Sequence, residues 1–256
     1  MSKIEMLNID CMEYMATLPD NSFDLAIVDP PYGIKMDGKA MSDRASNSPK
    51  YRNYVGRKYH GVGWDNSPMP IEYFIELKRV SKNQIIWGAN HFIENIPESN
   101  SSSWVAWYKN GQCPGSTNAD CELAWTSHKT AVKYFRFDWS GFGHVNARET
   151  RIHPTQKPVK LYEWLLTNYA EKGQRILDTH LGSGSSAIAA HYFGVDFVGM
   201  EIDKDYHDAA CKRFDNETKQ QDIFSEQVSN FGGNEKGLFP EGTSGNVQMS
   251  GCNDKE

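Results

Sequence analysis

The amino-acid sequence predicts an α/β protein with a doubly wound, mostly parallel sheet. Short apolar runs typical of buried parallel strands recur at residues 23–28, 84–88, 175–178 and 197–201. Segments with helical spacing of apolar residues lie between these runs. Acids and glycines stand at the carboxyl ends of the runs, where open α/β sheets bind ligands. We therefore expect a ligand site at that edge of the sheet.

Length and composition favour one large domain with an insertion. The chain has 256 residues, no run of about eighteen apolar residues and no signal peptide at its N-terminus, so we expect a soluble cytoplasmic protein. The cysteines are odd in number and form no C-x-x-C pair, which argues against a zinc site or a disulfide framework. They are Cys11, Cys113, Cys121, Cys211 and Cys252.

The formal net charge of −6 is unevenly distributed along the chain. Residues 33–63, the basic segment, carry seven basic and two acidic residues, and we expect them to meet backbone phosphates. A merely solvated charged loop is the alternative. Residues 217–256 are acidic and poor in apolar side chains, which predicts a mobile tail. The candidate phosphate contacts in the basic segment are Lys50, Arg52, Arg57 and Lys58.

The first part of the chain leads to a rigid corner. A strand is expected within residues 3–9, followed by Asp10 and a short helix within 12–18. The next strand, at 23–28, runs into Asp29-Pro30-Pro31-Tyr32. Both prolines hold φ at about −65° and donate no backbone hydrogen bond, so neither sheet nor helix can continue. An ordinary end of a strand is the alternative interpretation of this corner.

The corner has the groups needed to methylate an exocyclic amine of a nucleobase. Such a nitrogen is a poor nucleophile because its lone pair is delocalised into the ring. The Asp29 carboxylate and the Pro30 carbonyl could accept its N–H groups and stabilise the positive charge that develops. Tyr32 would stack on the base, which must first leave the duplex.

The middle of the chain is predicted to add a helix and edge strands. Pro68 and Pro70 open a helix in which Ile71, Phe74 and Ile75 keep helical spacing. His91, after the strand at residues 84–88, is expected to be structural.

Residues 99–151 are predicted to form antiparallel edge strands with inserted loops that read the target. Strands are expected at 104–108, 121–126 and 131–137, the last two on either side of a turn at 127–129. In the loops, Arg148 and Arg151 are candidate contacts to nucleic acid, although generic loop composition looks similar.

The last third of the chain carries the pattern of an anion site. His153-Pro154-Thr155-Gln156-Lys157-Pro158 precedes a helix, and the strand at 175–178 ends in Asp178. Gly182-Ser183-Gly184 then opens a helix whose free N–H groups favour a negatively charged ligand. The following strand ends in Glu201, which stands where a ribose diol would be held. A helix over residues 204–214 is expected to close the fold.

Four of these motifs in this order resemble the β class of DNA amino-methyltransferases, whose catalytic signature is Asp/Asn/Ser-Pro-Pro-Tyr/Phe. They are Asp29–Tyr32, His153–Pro158, Asp178–Gly184 and Glu201. The resemblance covers nearly all of residues 4–214 and implies the S-adenosylmethionine-dependent methyltransferase fold in a prokaryotic cell or phage-infected host. It also implies that residues 1–216 form one methyltransferase domain, often found as a homodimer. Double-stranded DNA would be the substrate, bound by Lys50, Arg52, Arg57, Lys58, Arg148 and Arg151.

The resemblance also assigns the cofactor contacts. Asp178, Gly182, Ser183 and Gly184 would cradle the methionine part of S-adenosylmethionine, and Glu201 its ribose hydroxyls. The remaining contacts it implies are Asp10 at the adenine, Thr155 and Lys157 at the carboxylate end, and Asp29. The chain departs from the family at Asp178-Thr179-His180, where the usual motif is Asp-Pro-Phe.

The favoured activity is adenine-N6 methylation, because aspartate before the prolines favours adenine in this family. Cytosine-N4 methylation is the close alternative, followed by an RNA methyltransferase and an inactive DNA-binding subunit. Cytosine-C5 chemistry needs a thiolate after a proline, and Cys113 precedes Pro114 instead.

The acidic tail contains one further motif. Gln220-Gln221-Asp222-Ile223-Phe224 resembles the peptides that dock into bacterial sliding clamps, with Gln220, Ile223 and Phe224 as anchors. A chance match in a polar tail is the alternative.

Overall fold

The computed structural model describes residues 2–35, 63–109, 119–137, 139 and 151–231, with side chains described as far as Lys219. The chain divides into two compact units, residues 1–219 and 220–256. Several predictions fall outside the described residues and stay predictions. They concern most of the basic segment, Arg148, and the side chains of Gln220, Ile223 and Phe224.

Eight strands of the described chain form one sheet in the order β1-β8-β7-β2-β3-β5-β4-β6. The strands are β1 (Ile4–Leu7), β2 (Phe23–Val28), β3 (Ser81–Trp87), β4 (Trp104–Tyr108), β5 (Cys121–Thr126), β6 (Lys133–Arg136), β7 (Arg175–Asp178) and β8 (Asp196–Met200). The helices are α1 (Cys11–Ala16), α2 (Ile71–Val80), α3 (Val159–Tyr169), α4 (Ser185–Phe193) and α5 (Lys204–Phe231).

The sheet confirms the predicted fold class. Strands β1, β8, β7, β2 and β3 pair in parallel, so their carboxyl ends meet at one edge. Strands β5 and β4 extend the sheet in antiparallel fashion beyond β3. The edge strand β6 differs from the prediction, because it lies beside β4 and runs parallel to it. The reason is that β5 already has β3 on one side and β4 on the other, which leaves β6 only the free edge of β4.

Alternating side chains of the sheet pack against helices on both faces. On β2, Leu25 and Ile27 join one core cluster with α3 and α4, while Ala26 and Val28 join a second cluster with α1 and α2. This period of two is what a strand buried on both faces produces. The result is a three-layer α/β/α domain.

The helices follow the sequence pattern with two differences. Helix α2 has the predicted position, but it buries Tyr73, Phe74, Leu77 and Val80, and its residues Ile71 and Ile75 are 45% and 49% exposed. The sequence supports either face at helical spacing, and the face with two aromatic rings buries more apolar surface.

Helix α5 begins at Lys204, as predicted, but ends at Phe231 rather than Phe214. Residues 215–231 are rich in good helix formers and contain no glycine or proline, so low hydrophobicity did not stop the helix. An ion pair between Lys219 and Asp215, four residues apart, supports the extension. None of the helices in the described part of the chain has the length and apolar character needed to cross a membrane.

Candidate active site

A cavity of about 500 Å³ lies at the carboxyl ends of β1, β2, β7 and β8. Its size is typical of a site for a cofactor-sized ligand. The residues predicted as cofactor contacts that line it are Asp10, Asp29, Thr155, Lys157, Gly182, Ser183 and Glu201. A second cavity, of about 310 Å³, is lined by residues such as Asp24, Asn83 and His128. It lies away from the carboxyl ends of the parallel strands.

The corner after β2 is held by hydrogen bonds among its own side chains. The Tyr32 hydroxyl donates to Oδ1 of Asp29 at 2.7 Å. The Tyr32 ring stacks on His91, with the ring centroids 5.3 Å apart, and the structural role expected for His91 stays a prediction. Pro31 contributes to the cavity wall, whereas Pro30 is buried beside it. The corner therefore presents the Asp29 carboxylate to the cavity in a fixed orientation.

Gly88, at the end of β3, makes room for this arrangement. Its φ is +70°, and a Cβ atom there would lie 2.1 to 2.4 Å from atoms of the Tyr32 ring. No side chain fits at that distance, so the close approach requires glycine. In the sequence Gly88 stands out only as the end of a strand, and this role was not predicted.

Lys157 connects the corner to a buried network of charges. Its Nζ atom lies 2.5 Å from Oδ2 of Asp29 and 3.1 Å from the Tyr32 hydroxyl. The same atom is 3.2 Å from Oε2 of Glu122 on β5, and Oε1 of Glu122 pairs with Lys109. Two carboxylates and two ammonium groups thus alternate in the order Asp29, Lys157, Glu122, Lys109, starting from the cavity wall.

Burial and pairing shift the ionisation of these groups in opposite directions. Burial raises the pKa of Asp29, against the opposing effect of Lys157. Burial would also raise the pKa of Glu122, but Lys157 and Lys109 outweigh it and hold that pKa at about 2. The pKa of Lys157 is raised, because Asp29 and Glu122 outweigh the effect of its burial. Lys157 therefore keeps its positive charge at neutral pH.

Glu122 and Lys109 were not predicted as site residues. The ion pairs of both residues join separate segments of the chain, which no local pattern reveals. One signal was present, since Glu122 is the only charged residue in the strand Cys121–Thr126, whose Ala124 and Trp125 are buried. A carboxylate in such a strand needs a partner.

The turn after β7 is organised by two acids. Oδ1 of Asp178 accepts a hydrogen bond from the His180 amide at 3.0 Å, and its Oδ2 accepts one from Ser186 at 2.6 Å. Burial raises the pKa of Asp178 to about 7. Oε2 of Glu201 accepts from the Gly182 amide at 3.0 Å, and burial raises the pKa of this acid as well.

Some of the predicted cofactor residues line the cavity, and others are buried behind its wall and hold the turn in place. Gly182, Ser183 and Glu201 face the cavity, whereas Asp178 and Gly184 are buried next to it. Gly184 begins α4, where a Cβ atom would lie 3.3 Å from the Cβ of Ala210 on α5.

Asp10 both lines the cavity and begins α1. Its Oδ1 accepts hydrogen bonds from the amides of Met12 and Glu13, at 2.8 and 3.1 Å. This is the geometry of a helix N-cap, which leaves Oδ2 for another partner.

Two partly buried histidines of the cavity wall were not predicted as site residues. Burial lowers the pKa of both His153 and His180 to about 4, so both are neutral at physiological pH. The His153 ring packs edge-to-face on Tyr206, with centroids 4.4 Å apart. His180 occupies the position at which the family has phenylalanine. Its Nδ1 atom is 2.9 Å from Oγ1 of Thr179.

The cavity fits a polar ligand of the size of S-adenosylmethionine. A Cβ atom on Gly182 would lie 3.7 Å from the His153 ring and would fill part of the space between them. The indole N–H of Trp64, in the cavity wall, is buried and has no hydrogen-bond partner among the described residues. Carboxylates, a neutral histidine and a free donor match the hydroxyl, ring and charged groups of a nucleoside bearing an amino acid.

Comparison with known proteins gives the same family as the motifs. A family described as DNA methylase matches residues 23–212. The type II methyltransferase M.HinfI of Haemophilus influenzae is 27% identical in an alignment of 254 positions that covers 81% of this chain and 67% of that protein. M.HpaI of Haemophilus parainfluenzae is 26% identical in an alignment of 260 positions that covers 86% of this chain and 76% of that protein.

Solved structures confirm the fold. The complex of M1.HpyAVI with SAM superposes with a TM-score of 0.51 at 20% identity, covering 82% of this chain and 98% of the other. The PvuII DNA methyltransferase, which is cytosine-N4-specific, gives a TM-score of 0.56 at 15% identity, with 89% and 94% covered.

Proposed function

We propose that this chain, which belongs to the N6/N4 DNA methylase family, transfers a methyl group to the exocyclic N6 of an adenine. The adenine would be flipped out of duplex DNA. The observation that carries the proposal is the position of Asp29. Its carboxylate is oriented by the Tyr32 hydroxyl and lines the same cavity as Glu201 and the Gly182–Ser183 turn. An acceptor for an amine and a site for a methyl donor are thus adjacent.

The cofactor is S-adenosylmethionine. We assign its ribose to Glu201, its adenine to the neighbourhood of Asp10, and its amino-acid end to the segment with Thr155 and Lys157 and to the Gly182–Ser183 turn. When bound, it supplies a methyl group on a positively charged sulfur, so that attack by nitrogen forms the N–C bond as the S–C bond breaks.

The residues of the corner make the amine reactive. Asp29 and the Pro30 carbonyl accept its N–H groups, which turns the lone pair towards the methyl donor and stabilises the charge that develops on nitrogen. Afterwards one N–H proton passes to the Asp29 carboxylate and then to solvent, which leaves a neutral product base. Tyr32 orients Asp29 through its hydroxyl and offers its ring to the base.

The DNA duplex would lie over the cavity mouth. We propose that Lys50, Arg52, Arg57 and Lys58 of the basic segment meet its phosphates. Arg148 and Arg151 are proposed as further contacts within the target-recognition region, residues 99–151. Arg151 lies 5.3 Å from the centroid of the Trp139 ring, a contact that holds its guanidinium beside an aromatic side chain.

The base specificity rests on the residue before the prolines. Aspartate at position 29 favours adenine over cytosine, whose N4 is also an amine beside a ring nitrogen. The test is to incubate the protein with mixed-sequence DNA and methyl-labelled cofactor, then digest the DNA and identify the labelled nucleoside. We expect N6-methyladenine. Label in N4-methylcytosine would mean that cytosine, not adenine, is the target base.

Two parallel reactions complete this test. RNA of the same sequence should remain unlabelled, and label in RNA alone would make the protein an RNA methyltransferase. Calorimetric titration with S-adenosylmethionine separates an inactive subunit from an active enzyme. Failure to label DNA in spite of cofactor binding would overturn the proposed activity.

A further inference from the structure

The ammonium of Lys157 lies between two partly buried carboxylates. It is 2.5 Å from Oδ2 of Asp29 and 3.2 Å from Oε2 of Glu122. Its side chain is 4% exposed, and those of Asp29 and Glu122 are 15% and 22% exposed. Its nitrogen also lies over the rings of Tyr32 and Trp87, at 5.5 and 5.6 Å from their centroids. The ammonium is thus enclosed by two anions and two aromatic rings.

The two contacts of Lys157 are not equivalent. The contact with Asp29 is a short hydrogen bond. Oε2 of Glu122 is buried and within ion-pair distance, yet no hydrogen bond of good geometry reaches it from the described residues. Glu122 therefore has an acceptor atom that is not fully used, directed at the ammonium.

This arrangement places two hydrogen-bond donors on the carboxylate that the target amine is proposed to use. Tyr32 occupies Oδ1 of Asp29 and Lys157 occupies Oδ2. A carboxylate oxygen can accept more than one hydrogen bond, but a target amine that donates to Oδ2 competes there with the ammonium of Lys157. A buried ammonium that loses its carboxylate is strongly destabilised unless another anion receives it.

We propose that Glu122 is a positioning residue for methyl transfer, which receives the ammonium of Lys157 when the target amine takes its place on Asp29. This inference rests on the proposed function. The four-carbon stem of lysine allows the small shift from Oδ2 to Oε2. Lys109 pairs with the other oxygen of Glu122, but Lys157 contributes more than Lys109 to keeping Glu122 ionised. Lys157 and Glu122 thus prepare Asp29 for the target base without contacting that base themselves.

The test compares Glu122→Gln with Lys109→Gln. Both substitutions break the ion pair between Lys109 and Glu122, but only Glu122→Gln removes the anion that receives Lys157. We expect Glu122→Gln to lower kcat for DNA methylation by ten- to a hundred-fold, and Lys109→Gln to lower it by less than threefold. The dissociation constant for S-adenosylmethionine, measured by calorimetry, should stay near the wild-type value in both.

Three outcomes would overturn the inference. Wild-type kcat in Glu122→Gln would mean that Lys157 needs no second anion. Equal losses in the two variants would indicate that the network is only structural, as would a loss of cofactor affinity parallel to the loss of kcat.

A further variant keeps the test decisive if Glu122→Gln does not fold. Glu122→Asp retains the charge but withdraws it from Lys157, so its kcat should lie below that of Lys109→Gln, and the reverse order would reject the inference. Wild-type protein in the same assay separates this result from the proposed function, because only failure of that function would abolish wild-type labelling.

Discussion

Among single residues, Asp29 has the most direct part in the proposed chemistry. Replacing it with alanine removes the acceptor for the target amine. Loss of one preorganised acceptor at a developing charge lowers the rate by about 10²–10³-fold. We expect Asp29→Ala to lose turnover to that extent in a methyl-transfer assay while keeping its affinity for S-adenosylmethionine. Retention of more than about a tenth of the wild-type turnover would exclude the catalytic assignment.

Gly88 gives a second prediction for a single residue. In Gly88→Ala the new Cβ atom would overlap the Tyr32 ring, so Tyr32 must move and its hydrogen bond to Asp29 must lengthen or break. We expect at least a tenfold fall in kcat. Gly173→Ala is the matched control, since Gly173 has φ +83° and a Cβ atom there would have no neighbour within 4 Å among the described residues. Both variants bear the strain of a positive φ, about 1–2 kcal/mol, and only the first should lose activity.

The secondary-structure elements were predicted well where burial decides the structure locally. The apolar runs at 23–28 and 175–178 became β2 and β7 with unchanged bounds, because a short apolar run between turn formers has few alternatives. The position of β6 could not be predicted this way. It depends on which sheet edge is free, and that is settled by pairings between distant strands.

The site was predicted to a similar degree, for a related reason. Asp29 and Glu201 are recognisable because each follows directly on a buried strand. The charge network is not, because Lys109, Glu122 and Lys157 come from the end of β4, from β5 and from the segment before α3. Only the assembled sheet brings them together.

Glu201 tests whether the end of β8 holds the cofactor. Its carboxylate accepts hydrogen bonds from the amides of Gly182 and Asp203, and we propose that it also binds the ribose. Glu201→Ala should weaken binding of S-adenosylmethionine by about 1–3 kcal/mol. Asp196→Ala, at the opposite end of β8, is the control and should bind normally. Unchanged affinity in Glu201→Ala would make this acid a structural residue of the turn.

For the molecule as a whole, the uneven charge predicts how DNA binding responds to salt. Neutralising Arg52, Arg57 and Lys58 together should weaken binding to all DNA sequences. It should also reduce the slope of log affinity against log salt concentration by about three, since each phosphate contact contributes about one. Binding isotherms at several salt concentrations would measure both effects. A changed target sequence with an unchanged slope would mean that these residues read bases.

A control for the change in total charge comes from lysines at the opposite edge of the sheet, where the parallel strands begin. Lys82, Lys129 and Lys172 are exposed and lie away from the carboxyl ends of the parallel strands. Neutralising these three lysines changes the net charge by the same amount. Their triple variant should keep the wild-type slope, because charges on that side would not touch the DNA.

The stability of the fold should depend on pH through His153, His180 and Asp178, because the pKa shifts of the histidines and of the aspartate have opposing effects. Burial holds the pKa of His153 and His180 at about 4, against 6.5 when unfolded, so their stabilising contribution is lost as pH falls from about 6.5 through about 4. Burial raises the pKa of Asp178 from 3.8 to about 7, so its contribution is greatest at low pH and is lost as pH rises through about 7. In wild-type protein these trends partly cancel between pH 4 and 7.

Asp178→Asn removes one side of this balance. An asparagine can still accept from the His180 amide and can donate to Ser186, so the turn should keep its form. We expect the melting temperature of Asp178→Asn to fall more steeply than that of wild type when the pH is lowered from 7 to 4, because only the histidine contributions remain. Thermal unfolding at half-unit steps of pH would measure the difference. Parallel curves for the two proteins would mean that Asp178 is ionised throughout this range, with no raised pKa in the folded state.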